Sequence, residues 1–246
     1  MADPTITRVE PLRPRGLKVL LHLDDGEPIE ITLEALERSR LGVGDPLPSK
    51  RRRLLMDEDA EVRVRDAALN LISYRARTRA ELRRRLHQKG FSPARIDPCL
   101  DRLQLKGFID DEAVAAAFVR DRLRHRPRGK IALSSELRAK GVEGDLAQRT
   151  IDAVFDTEEI DDTGLARSVA ESWVRRQSSA MLEALASTGH SPERDKARRR
   201  LAGFLQRRGF RGDALSIGIE HATFTARTAH GHASGTARDP VPRTER

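Results

Sequence analysis

Residues 78–91, TRAELRRRLHQKGF, decide the fold, because this stretch carries the start signal, the buried face and the stop signal of one helix. Thr78 and Glu81 form a capping-box pattern, in which the hydroxyl oxygen and the carboxylate each bind a backbone amide at the helix start. Leu82 and Leu86 share one helix face. Gly90 is placed to end the helix in a left-handed turn. The stretch therefore predicts a short amphipathic helix that packs through its leucines.

The same pattern occurs three times along the chain, centred on Gly90, Gly141 and Gly209. In each copy leucine stands four and eight residues before the glycine, a basic residue directly precedes it, and apolar residues follow it. The members are Leu82, Leu86, Lys89, Phe91 and Ile96; Leu133, Leu137, Lys140, Val142 and Leu146; and Leu201, Leu205, Arg208, Phe210 and Leu215. We infer an internal three-helix repeat.

The rest of the chain divides around these repeats. The first fifty residues are rich in branched side chains and contain the turn signal Asp24-Asp25-Gly26, which predicts a sheet built on a β-hairpin. After residue 222 no periodicity remains, which is typical of disorder. The predicted segments are a β-rich subdomain (1–50), a basic linker (51–57), repeat one (58–106), repeat two (107–157), repeat three (158–221) with an insertion at 178–194, and a disordered tail (222–246).

The predicted fold class is mainly α, with tandem three-helix repeats that form an elongated, curved array behind a small N-terminal subdomain containing a β-hairpin. The composition favours such thin stacked layers, because charged residues make up 34% of the chain and aromatic residues only 4%. A core built on Leu, Ile, Val and Ala fills a thin helical layer more readily than a compact globule. Trp173 and Phe118 are expected in these cores.

Charge and cysteine content narrow the class of protein. Lys and Arg number 46 against 38 Asp and Glu, which gives a formal net charge of +8 and indicates contact with nucleic acid. The single cysteine, Cys99, excludes an internal disulfide and fits a reducing compartment. The N-terminus lacks the pattern of a signal peptide, and no apolar run approaches the roughly 20 residues of a membrane span. We expect a cytoplasmic protein.

Two groups of cations are candidates for phosphate binding. Residues two apart do not share a helix face, so a run of cations at alternate positions is expected to wrap around a helix end as a basic collar. The collar comprises Arg120, Arg122, Arg124, Arg126, Arg128 and Lys130. The second group holds matching positions in two repeats: Arg83, Arg84, Arg85 and Lys89, and Arg198, Arg199, Arg200, Arg207 and Arg208. The alternative for both groups is a solvated helix surface, favoured at helix ends by the dipole.

No residue pattern supports a catalytic centre. The acids Asp110, Asp111 and Glu112 stand where a helix begins, and carboxylates are stabilised there by the helix dipole. His230 and His232 lie in the tail without an acid or cysteine to complete a metal site. Cys99 falls on an apolar helix stretch and is expected in the core. We therefore predict a protein that acts by binding, with no cofactor and no metal.

Several motifs, in the right order over about residues 58–220, resemble the RecX family. They are Thr78–Leu82 with Leu86 and Lys89–Phe91; Gly107–Glu112 with Phe118 and Arg122; Pro127–Ile131 with Glu136–Val142; and Arg200, Leu201, Phe204, Leu205 and Arg208–Phe210. The segment 178–194 is longer than the usual joint in that family. The sheet occurs in only some relatives, and the polar tail is not part of the pattern.

The resemblance implies a regulatory protein that binds the RecA recombinase and its DNA filament and most often inhibits it, in DNA repair and the SOS response. It implies a monomer whose array lies along the filament groove, with non-specific contacts to single- or double-stranded DNA. The cation groups and the resemblance together give the candidates for contact with the recombinase or DNA: Arg77, Arg83, Arg84, Lys89, Arg120, Arg122, Arg124, Arg128, Lys130, Lys140, Arg207 and Arg208.

Three alternatives remain open at the level of sequence. Three-helix units resemble helix-turn-helix modules, which would make the chain a stand-alone DNA-binding regulator, although no Asn or Gln stands where a base reader is expected. A helical-repeat RNA-binding protein would carry a similar charge. A magnesium-dependent nuclease would need the acids Asp110, Asp111 and Glu112 as metal ligands.

Overall fold

The protein is mainly helical, with eleven helices and three strands in the described part of the chain. The computed structural model describes residues 3–14 and 16–235, with side chains up to residue 229. Two compact units, Met1–Asp111 and Glu112–Arg246, each contain two hydrophobic cores. The first unit has one core in the sheet subdomain and one in a three-helix repeat. Each core of the second unit belongs to one further repeat.

The N-terminal subdomain is a three-stranded antiparallel sheet of order β1-β2-β3, followed by a helix. Its elements are β1 (Ile6–Pro11), β2 (Lys18–Leu23), β3 (Ile29–Thr32) and α1 (Leu33–Ser39). Val19 pairs with Ile31 and Leu21 with Ile29, so that alternate side chains enter the core. The β-hairpin predicted from residues 24–26 is confirmed.

The predicted basic linker at 51–57 is wrong, because this segment lies in the first turns of α2 (Ser49–Tyr74). Lys and Arg are good helix formers, and Leu55 is fully buried in the core of the sheet subdomain. Further along α2, Asp59 is 3% exposed; its Oδ1 accepts the backbone N–H of Thr32 at 2.6 Å, and its Oδ2 pairs with Arg63 Nε at 2.6 Å. One continuous helix thus joins the sheet to the first repeat.

The first repeat consists of α2, α3 (Arg79–Gln88) and α4 (Pro93–Leu105). The Oγ1 of Thr78 accepts the N–H of Glu81 at 3.1 Å, as the capping box predicts. The φ angle of Gly90 is +91°, and the helix ends in the predicted left-handed turn. The core contains both leucines of α3 together with Ile96, Leu100 and Leu103, and Cys99 is buried among them, as predicted.

The second repeat consists of α5 (Asp111–His125), α6 (Lys130–Ala139) and α7 (Gly144–Thr157). Its buried residues include Ala115, Val119, Leu133, Leu137 and Ile151. Each of these residues stands 51 positions after a buried residue of the first repeat, so the two cores are built on one pattern. The predicted class of tandem three-helix repeats behind a small sheet is confirmed.

The third repeat has four helices: α8 (Asp162–Val174), α9 (Ser179–Ala186), α10 (Pro192–Arg207) and α11 (Gly212–Gly235). Trp173 is buried in its core, as predicted. The insertion predicted at 178–194 is largely structured: α9 buries Leu185 in the same core, and α10 begins inside the segment. The boundaries of the three repeats otherwise remain a prediction.

The prediction of a disordered tail from residue 222 is wrong for its first part, because α11 continues to Gly235. Ala222 and Ala226 are fully buried in the core of the third repeat. Alanine is a strong helix former but gives a weak apolar signal in a sequence, and the buried face of this helix was missed for that reason. Residues 236–246 lie outside the described part of the chain.

Candidate polyanion interface

The basic residue before each repeat glycine is the C-cap residue of its helix: Lys89 for α3, Lys140 for α6 and Arg208 for α10. Directly after each glycine, the next backbone N–H donates to the carbonyl five residues earlier, at 3.1–3.3 Å. Cations are stabilised at this end of a helix by its dipole. The helix dipole therefore explains why a cation recurs at this position. A cation at a helix end does not by itself make a binding site.

Four predicted contact residues lie in the first repeat. Arg83 Nε donates to Asp97 Oδ1 at 2.8 Å, and this hydrogen bond holds the pKa of the Asp97 carboxyl below its usual value. Arg77 Nε donates to the backbone carbonyl of Leu71 at 2.9 Å. The side chains of Arg84 and Lys89 are exposed and have no hydrogen-bond or ion-pair partner among the described residues. Two of the four cations are therefore available to a ligand.

Arg84 lines two neighbouring depressions on the surface of α3. One is an open groove of about 490 Å³ between α3 and α4, to which Arg83 and His87 also contribute. The other is a cleft lined by Arg75, Arg77, Glu81, Arg84, Arg85 and Gln88. The cleft has four guanidinium groups and a single carboxylate in its lining, and that carboxylate pairs with Arg75. An anion entering this surface meets a net positive charge.

The predicted basic collar begins on α5 and continues into the loop after it, because α5 ends at His125. Arg120 Nε pairs with Glu158 at 2.8 Å. Arg122 pairs with Glu136 at 2.7 Å, and its guanidinium carbon lies 4.4 Å from the ring centroid of Phe118. Arg124 is exposed and has no such partner in the described part of the chain. Most of the helical part of the collar is thus neutralised by acids of the fold.

Lys130 and Lys140 contact aromatic rings of the second repeat. The ammonium group of Lys130 lies 2.7 Å from Asp152 Oδ1 and 4.9 Å from the ring centroid of Phe155. Its hydrogen bond lowers the pKa of Asp152. The ammonium group of Lys140 lies 5.1 Å from the ring centroid of Phe118. These contacts give both lysines a part in the packing of the repeat.

The loop between α5 and α6 joins the second repeat to the third through backbone atoms. The N–H of Gly129 donates to the carbonyl of Arg208 at 2.8 Å, and Arg208 Nη1 donates to the carbonyl of Pro127 at 3.2 Å. A Cβ atom on Gly129 would lie 2.7 Å from the oxygen of Gly209, and one on Gly209 would lie 2.4 Å from the nitrogen of Ala132. Both glycines are required because the two backbones touch.

Arginines from three elements lie around this backbone contact between the second and third repeats, which we call the joint. The guanidinium carbon of Arg208 lies 4.9 Å from the ring centroid of Phe204. Burial lowers the pKa of Arg208, and the positive charges of Arg128, Arg176 and Arg126 lower it further. Arg176 follows α8 and was missed by the sequence analysis, because only tertiary packing brings it here. Arg207, the neighbouring predicted residue, is exposed and has no partner among the residues described.

One of the acids considered as a nuclease site, Asp111, has a structural role. Asp111 Oδ1 accepts the backbone N–H of Arg79 at 2.7 Å, at the start of α3. Within residues 3–14 and 16–229, no cluster of three or more His, Cys, Asp or Glu side chains could hold a metal ion. The side chains of His230 and His232 lie outside the described residues. None of the described helices is long and apolar enough to span a membrane.

Comparisons with known proteins agree with the repeat structure. The model of the RecX first three-helix domain matches residues 65–103, and the model of the second matches residues 110–151. A protein named Regulatory protein RecX from Halorhodospira halophila is 38% identical over 152 residues, which cover 62% of this chain and 83% of that protein. The chain belongs to the RecX family. The resemblance inferred from the motifs is confirmed.

Other RecX-family proteins match in the same way. Regulatory protein RecX from Mycolicibacterium vanbaalenii is 35% identical over 167 residues, which cover 67% of this chain and 86% of that protein. A solved structure titled "Crystal structure of regulatory protein RecX" has a TM-score of 0.64 at 22% identity and covers 88% of this chain and 99% of its own. A second, RecX from Lactobacillus salivarius, has a TM-score of 0.53 at 20% identity and covers 68% of this chain and 98% of its own. These two likenesses establish the fold.

Proposed function

We propose that this chain is a cytoplasmic regulator that binds the RecA recombinase and its DNA filament and inhibits recombinase activity in DNA repair and the SOS response. The observation that supports this proposal most strongly is the 38% identity to a regulatory protein RecX across 83% of that protein's length. Such a regulator needs no catalytic group. A ligand that binds one filament state more tightly than another shifts the population by the difference in affinity.

Charge explains how the chain reaches a filament. A recombinase filament carries the phosphates of its DNA, and cations that neutralise phosphates release condensed counterions. Arg84 and Lys89 in the first unit, and Arg124 and Arg207 in the second, are exposed cations without acid partners among the described residues. The unpaired cations are therefore the candidates for contacts with the filament, while Arg83, Arg120 and Arg122 already have acid partners.

Titration of the protein against preformed RecA filaments on single-stranded DNA, with ATP hydrolysis as the readout, tests the proposal. We expect hydrolysis to fall as the protein saturates the filament. The double variant Arg84→Ala/Lys89→Ala is expected to require more protein for the same inhibition. Lys50→Ala/Arg51→Ala is the matched control, because it removes the same charge from exposed positions of α2 in the same unit.

Unchanged ATP hydrolysis at saturating protein would reject inhibition. A pull-down of RecA with and without single-stranded DNA would then show whether the recombinase is a partner at all. Binding of DNA without any retention of RecA would favour the alternative of a stand-alone helical-repeat nucleic-acid-binding protein.

A further inference from the structure

We propose that four arginines of the second unit, Arg126, Arg128, Arg176 and Arg208, form a binding site for the phosphates of a nucleic-acid strand. The inference deepens the proposed function and rests on it, since it assigns one place where the regulator would contact the DNA of a filament. We call these four residues the arginine cluster.

Packing around two aromatic rings brings the cluster together. The rings of Trp173 on α8 and Phe204 on α10 lie 6.4 Å apart. Arg176 follows Trp173 by three residues and Arg208 follows Phe204 by four, so both arginines lie about one helical turn beyond the rings. The loop carrying Arg126 and Arg128 is joined to Arg208 by the backbone bond from Gly129. The core and the main-chain contacts therefore fix the backbone positions from which the four arginine side chains extend.

The cluster has more positive charge than the fold neutralises. Arg128 Nε lies 3.3 Å from Glu136 Oε1, but Glu136 also pairs with Arg122 at 2.7 Å. Within the described residues, the guanidinium groups of Arg126 and Arg176 have no ion-pair or hydrogen-bond partner. The exposed guanidinium groups of Arg126 and Arg176, held near further positive charge, fit an anion that supplies several oxygen atoms.

Helix dipoles account for three of the four cations, but not for Arg128. The C-terminal ends of α8 and α10 favour Arg176 and Arg208. Arg126 directly follows the C-terminal end of α5, which favours a cation in the same way, whereas Arg128 lies two residues before the start of α6, where the dipole favours negative charge. Guanidinium forks match the oxygen geometry of phosphates, and the net charge of +8 favours a polyanion as the source of the phosphate.

Binding of a fluorescently labelled oligo(dT) to the full chain, measured by anisotropy over a series of salt concentrations, tests the site. The test variant is Arg126→Ala/Arg176→Ala. The matched control is Arg167→Ala/Arg175→Ala, which removes the same charge from exposed positions on α8 and at its C-cap. Thermal unfolding of the test variant should match that of the parent protein, because neither Arg126 nor Arg176 has a side-chain partner in the part described. The control variant loses only the exposed ion pair of Arg175 with Glu171, and its thermal unfolding should change little.

The logarithmic slope of the dissociation constant against salt concentration is expected to fall by roughly 0.7 for each phosphate of a single strand that the test variant no longer neutralises. The loss of two such phosphates changes the slope by about 1.4. With equal binding of the two proteins at about 1 M salt, the test variant then binds roughly 25-fold more weakly than the parent at about 0.1 M salt. The control variant should show a far smaller change in slope.

Two outcomes would overturn the site while leaving the proposed function in place. Equal weakening of binding in the test and control variants would show a diffuse field instead of a site. Unchanged oligo(dT) binding together with weaker inhibition of RecA ATP hydrolysis would show that the cluster meets an acidic protein surface. Failure of the parent protein to inhibit RecA, with oligo(dT) binding weakened in the test variant as expected, would reject the proposed function and leave the phosphate site.

Discussion

The second helices of the first two repeats, α3 and α6, share one pattern of buried leucines and differ at the N-cap residue. Residues 51 positions apart correspond: Leu82 with Leu133, and Leu86 with Leu137, all fully buried. Two corresponding ion pairs, Arg79–Asp101 and Lys130–Asp152, each measure 2.7 Å. The N-cap residue, however, is Thr78 in the first repeat and glycine in the second.

Gly129 lacks the N-cap hydrogen bond of Thr78 and instead allows two backbones to approach closely. Thr78 is fully buried and caps α3 with its hydroxyl group. Gly129 makes no side-chain cap, and its Cα faces the backbone of Gly209 closely enough that a Cβ atom would lie 2.7 Å from the Gly209 oxygen. The favourable N-cap interaction is absent where the second and third repeats meet. A departure from the repeat pattern therefore marks the position at which another repeat packs.

The largest expected effect comes from Gly209→Ala. The φ angle of Gly209 is +90°, and an added Cβ would lie 2.4 Å from the backbone nitrogen of Ala132. The left-handed conformation costs about 1–2 kcal/mol for a residue with a Cβ, and overpacking adds roughly 1–3 kcal/mol. Urea unfolding followed by the fluorescence of Trp173, the single tryptophan, reports on this repeat.

Gly90→Ala is the control for this prediction. Gly90 has nearly the same φ angle, +91°, but no atom of the described residues lies within 4 Å of an added Cβ. We expect only the conformational cost of about 1–2 kcal/mol, measured by circular dichroism because this repeat has no tryptophan. Equal destabilisation of the two variants would mean that the close approach at Gly209 contributes nothing to the joint.

Gly129→Ser separates two opposite expectations for the stability of the protein. Serine is a better N-cap residue than glycine by a few tenths of a kcal/mol, so local preference predicts that Gly129→Ser stabilises the protein. The contact with Gly209 predicts the opposite, a destabilisation of roughly 1–3 kcal/mol from overpacking. In the first repeat, Thr78→Ala should cost about 1 kcal/mol because it removes the cap. A rise in the urea midpoint of Gly129→Ser, read by Trp173 fluorescence, would contradict the account of the joint.

Features that depend on near neighbours in the chain could be predicted from the sequence. The cap at Thr78, the left-handed turn at Gly90 and the hairpin near Gly26 each follow from a few adjacent residues. The leucine face of α3 follows from one helical period.

Features that depend on tertiary packing could not be predicted in this way. The basic run near residue 51 is helical because Leu55 packs in the core of the sheet subdomain. Helix α11 continues past Ala222 because its small residues pack in the core of the third repeat. In the candidate interface, sequence position alone cannot separate Arg84, which has no acid partner among the described residues, from Arg83, which pairs with Asp97 at 2.8 Å. Arg176 joins the arginine cluster only because Trp173 packs near Phe204.

The smallest expected effect concerns the ion pair that both repeats share. The hydrogen bond from Lys130, followed by that from Gln148, lowers the pKa of Asp152 below its ordinary value of 3.8. A carboxyl whose pKa is lower in the folded state stabilises the fold above the ordinary pKa and loses that contribution as the pH falls through the folded-state pKa. Because the Asp152 side chain is 43% exposed, solvent screening limits the contribution to less than about 1 kcal/mol.

Asp152→Asn should therefore lower the urea midpoint slightly at neutral pH and leave it unchanged at a pH below the folded-state pKa of Asp152, with Trp173 fluorescence as the readout. The corresponding variant of the first repeat, Asp101→Asn, should have a smaller effect, because Asp101 is 69% exposed and, among the described residues, accepts no second side-chain hydrogen bond of the kind that Gln148 donates to Asp152. If the midpoint of Asp152→Asn differs from that of the parent by the same amount at both pH values, the pair with Lys130 contributes through shape and not through charge. The correspondence between the two repeats would then extend to their leucines and glycines but not to their ion pairs.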